Sequence, residues 1–245
     1  MASKTRLTDL VKAFDTAAML ADLDAKPDLL GVRDERGRTW LHLIAAQPAQ
    51  GDAAGAAASI ALAEGLIARG LDMDDAAFTE GPDGAWRATP LWFAISRGRN
   101  LPLAGWLLER GCDPDHCLFA AAWNHDVEAI RLLRRHGAPL RPAILLEAIG
   151  WSRFDAAEEF VRQGCDPNAA GGDGRTALHM MLKKDSPPER MAALIALGAR
   201  TDIPGPDGRT AADILRRKKD PAYRALADAS LPPPRSGGRG IARQA

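Results

Sequence analysis

Asp173-Gly-Arg-Thr176-Ala-Leu-His179 and Asp207-Gly-Arg-Thr210-Ala-Ala align without a gap, and their threonines stand 34 residues apart. Repetition at such a period is the mark of a chain built from stacked copies of one small unit. A third copy, Arg36-Gly-Arg-Thr39-Trp-Leu-His42, lies near the N-terminus, and Ala88-Thr89-Pro-Leu-Trp92 is a fourth. A second marker recurs out of phase with the first. It is an apolar helix end closed by glycine: Leu66-Ile-Ala-Arg-Gly70, Leu107-Leu-Glu-Arg-Gly111, Leu132-Leu-Arg-Arg-His-Gly137, Phe160-Val-Arg-Gln-Gly164 and Leu194-Ile-Ala-Leu-Gly198. Helices commonly end on a left-handed residue, and glycine takes that conformation without a Cβ penalty. In Cys112-Asp-Pro-Asp and Cys165-Asp-Pro-Asn a proline then stands where a helix cannot continue.

Over roughly residues 5–228 these features resemble the ankyrin-repeat family, whose signature T-P-L-H-x-A recurs about every 33 residues. Thr39-Trp-Leu-His42 and Thr176-Ala-Leu-His179 match best, and Thr89-Pro-Leu matches in part. The resemblance implies an all-α solenoid of stacked helix-turn-helix units, about six repeats long. It also implies that Thr39 with His42, and Thr176 with His179, hydrogen-bond to fix the start of each first helix. Thr89 and Thr210 fall at the same place. The chain departs from the pattern in its middle. Gly111 to Gly137 is only 26 residues and Gly137 to Gly164 is 27, so two repeats are expected to lack the β-hairpin finger. Two stretches are longer than the pattern: Gln47-Pro-Ala-Gln-Gly-Asp-Ala-Ala-Gly, expected as a small-residue loop, and the second finger around Thr79 to Arg87.

The expected organisation is N-terminal capping helices at 1–33, repeats at 34–205, a C-terminal capping repeat at 206–230 and a disordered tail at 231–245. Arg216, Arg217, Lys218 and Lys219 are expected to face water on the last unit. A solenoid needs polar end units because each interior one is apolar on both flanks.

Composition narrows the function classes. Lys+Arg (32) equals Asp+Glu (32), so no global basic field exists to hold nucleic acid or an anionic membrane. Helix formers dominate, there is one Tyr, and no apolar run reaches the roughly 20 residues of a membrane span. The N-terminal residues lack the apolar core of a signal peptide. Three cysteines are too few for a disulfide scaffold. A cytoplasmic monomer is expected, and the Ala/Arg/Asp/Gly-rich usage hints at a bacterial source.

No catalytic residue, cofactor or small-molecule substrate is read from the sequence. Cys112, His116, Cys117, His125 and His136 lie close together, but their spacing fits no closed four-ligand zinc pattern. No phosphate-binding glycine motif occurs. Asp173 and Asp207 read as turn residues, because Asp-Gly supplies the positive φ of a finger tip. The remaining candidate is a partner surface. In the family, partners lie along the fingers and the exposed side of the first helices. Carried over, that places Arg36, Arg38, Trp86, Arg97, Trp123, Asn124, Trp151, Lys183 and Lys184 on the binding face. The expected function is a protein-binding adaptor, inhibitor or immunity-type protein. A secreted effector acting on host proteins is the alternative, and an enzyme is the weakest reading.

Overall fold

The computed structural model describes residues 2–48, 53–80, 86–141, 143–227 and 229. Its helices fall into seven consecutive hairpins. Each has an inner helix followed by an outer one: α1 (Lys4–Ala13) with α2 (Thr16–Ala25), α3 (Trp40–Ala45) with α4 (Ala53–Ile67), and α5 (Pro90–Phe93) with α6 (Leu101–Glu109). The series continues with α7 (Cys117–Trp123) and α8 (Val127–Arg135), α9 (Ala143–Gly150) and α10 (Phe154–Arg162), and α11 (Ala177–Lys183) and α12 (Pro188–Ala196). The last pair is α13 (Ala211–Arg216) and α14 (Pro221–Ala227). Every inner helix packs on the inner helix before and after it, and the outer helices do the same. That double file is the spine of a solenoid.

Local chemistry sets the boundaries. Asp15, Asn100 and Asp126 cap α2, α6 and α8, each accepting a backbone N–H three residues on, and this satisfies one of the orphan donors of a helix start. At the other end the five expected glycines all have positive φ: 102° at Gly70, 91° at Gly111, 86° at Gly137, 109° at Gly164 and 104° at Gly198. In each case the residue after glycine donates its N–H five residues back, as Leu71 does to Leu66 O and Cys112 to Leu107 O. Glycine itself donates three residues back. This is the double bond of a Schellman ending.

The inner helices turn just as tightly without glycine. Phe14, Arg99, His125, Ser152 and Asp185 have φ between 46° and 59°. After Ser152, for instance, Arg153 N donates to Ala148 O at 2.8 Å. In the third hairpin the inner helix first widens into a π-helical turn, Ala94–Gly98. Gly98 there lies so close to the preceding inner helix that a Cβ would come within 2.1 Å of Ala45 O.

Fingers precede α3, α11 and α13 as closed turns. Gly37 N donates to Asp34 O, Gly174 N to Gly171 O and Gly208 N to Gly205 O, with φ of 74°, 76° and 76° at the three glycines. Only the second finger forms paired strands among the described residues: β1 (Thr79–Glu80) runs antiparallel to β2 (Trp86–Arg87). The two units built on α7 and α9 have no finger. Between Gly111 and α7 there is only the turn at 112–116, and residues 138–141 take the same place before α9. Arg141 clasps both oxygens of Asp115 at 2.7 and 2.9 Å, tying these two short turns together.

The core runs continuously along the spine. Leu41, Leu91, Leu118, Leu145 and Leu178 are buried, as are Leu107, Leu108, Leu133, Leu194 and Ile195. Leu132, beside the buried Leu133, is only half-buried and packs against the core from the outer helix. Two expectations change. Ala53 to Gly55 belong to α4 rather than to a loop, because alanine favours the helix wherever packing permits it. Lys218 does not simply face water: it is half-buried and bonds Asp185 at 2.5 Å. The expected tail at 231–245 lies outside the described residues. No described helix is long and apolar enough to cross a membrane.

Candidate functional site

The repeat motif builds the inner face, and its irregularities make a site. Thr39 N–H and Oγ1 lie 3.1 and 2.8 Å from His42 Nδ1. With Nδ1 accepting, Nε2 carries the proton and donates to Ala88 O at 3.1 Å, on the next unit's finger. His179 repeats the arrangement, with Thr176 Oγ1 at 2.9 Å and Arg209 O at 3.1 Å. Each histidine therefore bolts one hairpin to the finger of the next. Desolvation pushes the His42 pKa down to about 4, which keeps the ring neutral. In the final unit Asp213 plays the histidine's part, accepting from Thr210 N at 3.0 Å and from its Oγ1 at 2.8 Å.

Where the next finger is missing, the residue three positions after the cap is aromatic. Thr89 caps α5 through Trp92 N at 3.3 Å, and Trp92 stands where His42 and His179 stand in their units. No following finger supplies an acceptor, and the buried Trp92 Nε1 has no hydrogen-bond partner among the described residues. His116 precedes α7 with φ 65° and makes no side-chain cap, and Phe119 follows three residues later. The space the fingers would fill is an open cleft of about 370 Å³, walled by Trp86, Trp92, Phe119, Pro139 and Ile144, with Glu147 among its lining residues.

Two aromatic groups flank this gap. One is a chain from His42 through Phe93, Trp92 and Trp86 to Phe78, with successive ring centroids 5.5, 5.1, 5.1 and 5.3 Å apart. The other is Trp151, edge-on to Phe119 at 4.7 Å and to Trp123 at 5.1 Å. Among the described residues, the large apolar side chains classed as exposed are Phe78 (37%), Phe119 (43%) and Trp123 (52%). All three lie on this face, joined through depressions that share Trp92.

The expected partner-binding residues divide by what they already do. Trp86 and Trp151 are half-buried walls of the face, and Trp123 is its most exposed ring. Arg36 and Arg97 are exposed at its N-terminal end, beside Phe78 and Trp92. Arg38 is held by Asp34 at 2.7 Å and reaches over Phe93, which makes it part of the finger's frame. Asn124 spends its amide on Ile95 O and Ser96 O, at 3.1 and 2.9 Å, stitching α7 to the π-helical turn. Lys184 Nζ donates to Gly150 O at 2.5 Å, while Lys183 is exposed. Phe78, Phe119 and Glu147 were not expected on this face. Phe119 had one visible signal: it follows Trp92 by 27 residues, the spacing of the fingerless repeats.

The clustered cysteines and histidines have other roles. Cys112, Cys117 and Cys165 are buried, and burial raises all three thiol pKa values, that of Cys112 to about 12. A thiol held protonated is a poor nucleophile and ligand. His116 lies 3.3 Å from Asp115, and His125 bonds Asp155 at 2.9 Å. Among the described residues no group of three or more His, Cys, Asp or Glu side chains is placed to hold a metal ion. Asp173 and Asp207 each accept from the N–H of the arginine two residues on and pair with its guanidinium, which is the work of a turn.

No protein-family model matches the sequence, and no curated protein matches it. Among solved structures, the crystal structure of the human ASB11 ankyrin repeat domain superposes with a TM-score of 0.67 at 17% identity. The match covers 92% of this chain and 99% of that one. The seven stacked hairpins, their Thr–His bolts and this superposition together give the chain the ankyrin-repeat fold.

Proposed function

We propose that this chain is a non-catalytic binding module that holds another protein against its inner face, acting in the cytoplasm as an adaptor, inhibitor or immunity-type protein. The observation that carries the reading is the grouping of Phe78, Phe119 and Trp123, exposed together around the gap left by two missing fingers. Soluble proteins keep contiguous apolar surface small, and a larger patch rimmed by polar groups is characteristic of a recognition site. Tryptophan and arginine also contribute disproportionately to interface energy, and Trp123, Trp151 and Arg97 are all on this face. An enzyme would need convergent titratable groups in a pocket. Here Arg141 and His116 both turn to Asp115, so the titratable groups of the cleft are largely engaged in structure.

The test is site-specific photo-cross-linking in the native cell. Benzoylphenylalanine at Phe119 should give a discrete adduct with one protein, identified by mass spectrometry. The same group at Arg135, exposed on an outer helix, should not. Equal labelling from both positions, or none from Phe119, would remove the reading.

A further inference from the structure

Glu147 is the unexplained group on the inner face. It lies on α9, lining the cleft beside Phe119 and also the depression between α9 and the next finger, which contains Trp151 and Asp173. Its side chain is half-buried, and no cation or hydrogen-bond donor is paired with its carboxylate among the described residues. The other charged residues that line these two depressions are matched. Arg141 is clasped by Asp115 at 2.7 Å, and Asp173 by Arg175 at 2.6 Å. Among the lining side chains Glu147 is thus the one charge left without a pair, in largely apolar surroundings. Desolvation alone raises its pKa, the signature of an ion without a partner.

The rings supply the rest of the chemistry. Trp151 N donates to Glu147 O at 2.9 Å, continuing the helical ladder, so Glu147 and Trp151 share a face one turn apart. Phe119 meets Trp151 edge-on at 4.7 Å, and Trp123 meets it at 5.1 Å. Aromatic faces attract cations through their quadrupole, and the attraction grows when water is displaced. In the cleft itself Glu147 lies with Trp86, Trp92 and Phe119, and a carboxylate among aromatic rings is complementary to a positive charge on an apolar stem.

We propose that the cleft left by the missing fingers receives a cationic side chain, arginine or lysine, from the bound polypeptide, with Glu147 as its counter-ion and Trp86, Trp92 and Phe119 as its aromatic walls. This rests on the reading that the inner face binds a partner, and it adds the chemical class of the anchor. An acidic anchor is disfavoured by Glu147 itself, and a purely apolar one would leave that carboxylate desolvated and unpaired.

The experiment titrates the full chain, ¹⁵N-labelled at tryptophan, with four capped amino-acid probes: the acetyl methylamides of arginine, lysine, norleucine and aspartate. Indole resonances report binding. The arginine and lysine probes should give saturable shifts of Trp86 and Trp92, while norleucine and aspartate should not. Glu147→Gln keeps the shape and removes the charge, and it should weaken the arginine probe by about tenfold. Its unchanged urea midpoint would show that the fold is intact. Equal binding of norleucine, preference for aspartate, or an unaltered Glu147→Gln variant overturns the proposal. The cross-linking result separates the two readings: an adduct at Phe119 that persists in Glu147→Gln at full yield keeps the binding face and removes the cation anchor.

Discussion

Lowering the pH should loosen the solenoid through His42 before it touches the carboxylates. The ring is fully buried, accepts from Thr39 at Nδ1 and donates to Ala88 O at Nε2, so only the neutral form fits. Burial sets its folded pKa at about 4, against 6.5 for an ordinary histidine. Between those values the unfolded chain binds a proton that the folded chain refuses, so stability rises with pH across the window. The contribution is fully present above pH 6.5, is lost as pH falls, and levels off below the folded value. Each tenfold change in a protonation equilibrium is worth about 1.4 kcal/mol, so going from pH 7 to pH 5 removes about 2 kcal/mol. Carboxylates held below their usual range, such as Asp34 and Asp155, give up their stabilisation only at lower pH. The assay is urea unfolding across this range for the natural chain and for His42→Gln, which lacks the titrating ring. The variant should be less stable at pH 7, with the gap closing by about 2 kcal/mol at pH 5. Parallel pH profiles would refute the claim that a buried neutral histidine bolts the second unit to the third.

Other consequences follow from single positions. Gly208→Ala should cost about 1 kcal/mol, the penalty of a left-handed alanine, because a Cβ there meets nothing within 4 Å. Gly37→Ala should cost clearly more in the same thermal or urea assay, since its Cβ would come within 2.3 Å of Ala77 O. Ser152→Gly should stabilise by about 0.5–1 kcal/mol by relieving a left-handed serine, because Ser152 is exposed at φ 59°. Asn100→Ala should lose about 2 kcal/mol in urea unfolding, as a cap and a buried amide bond go together; its Oδ1 accepts from Leu103 N and its Nδ2 donates to Ser59 Oγ at 2.9 Å.

The sequence made the spine legible where backbone chemistry leaves few options. A left-handed helix end favours glycine, and Gly70 to Gly198 mark five of them. The Thr39–His42 and Thr176–His179 pairs work at fixed short spacing, so local order sufficed to find them. What stayed hidden depends on neighbours. Arg99, His125 and Asp185 adopt left-handed φ because packing on both sides forces a tight turn, and no local signal announces it. Nor does anything local announce the π-helical turn at Ala94–Gly98. Asn124, expected at an exposed place, is half-buried, and its amide is taken by two carbonyls of the preceding unit. Phe119 and Glu147 matter because two fingers are absent over them, a property of the gap rather than of either residue. The shortened repeats did reveal that the gap exists, but not which side chains line it.

If the aromatic face over the gap serves binding rather than folding, Trp123 should matter to a partner and hardly at all to the solenoid. Both quantities come from one variant: the affinity of Trp123→Ala for the protein captured at Phe119, and its urea midpoint. Trp123 is 52% exposed, so stability should stay within about 0.5 kcal/mol of the natural chain, while affinity should fall by about tenfold or more. A variant that loses stability and binds its partner as well as before would contradict the assignment of this face.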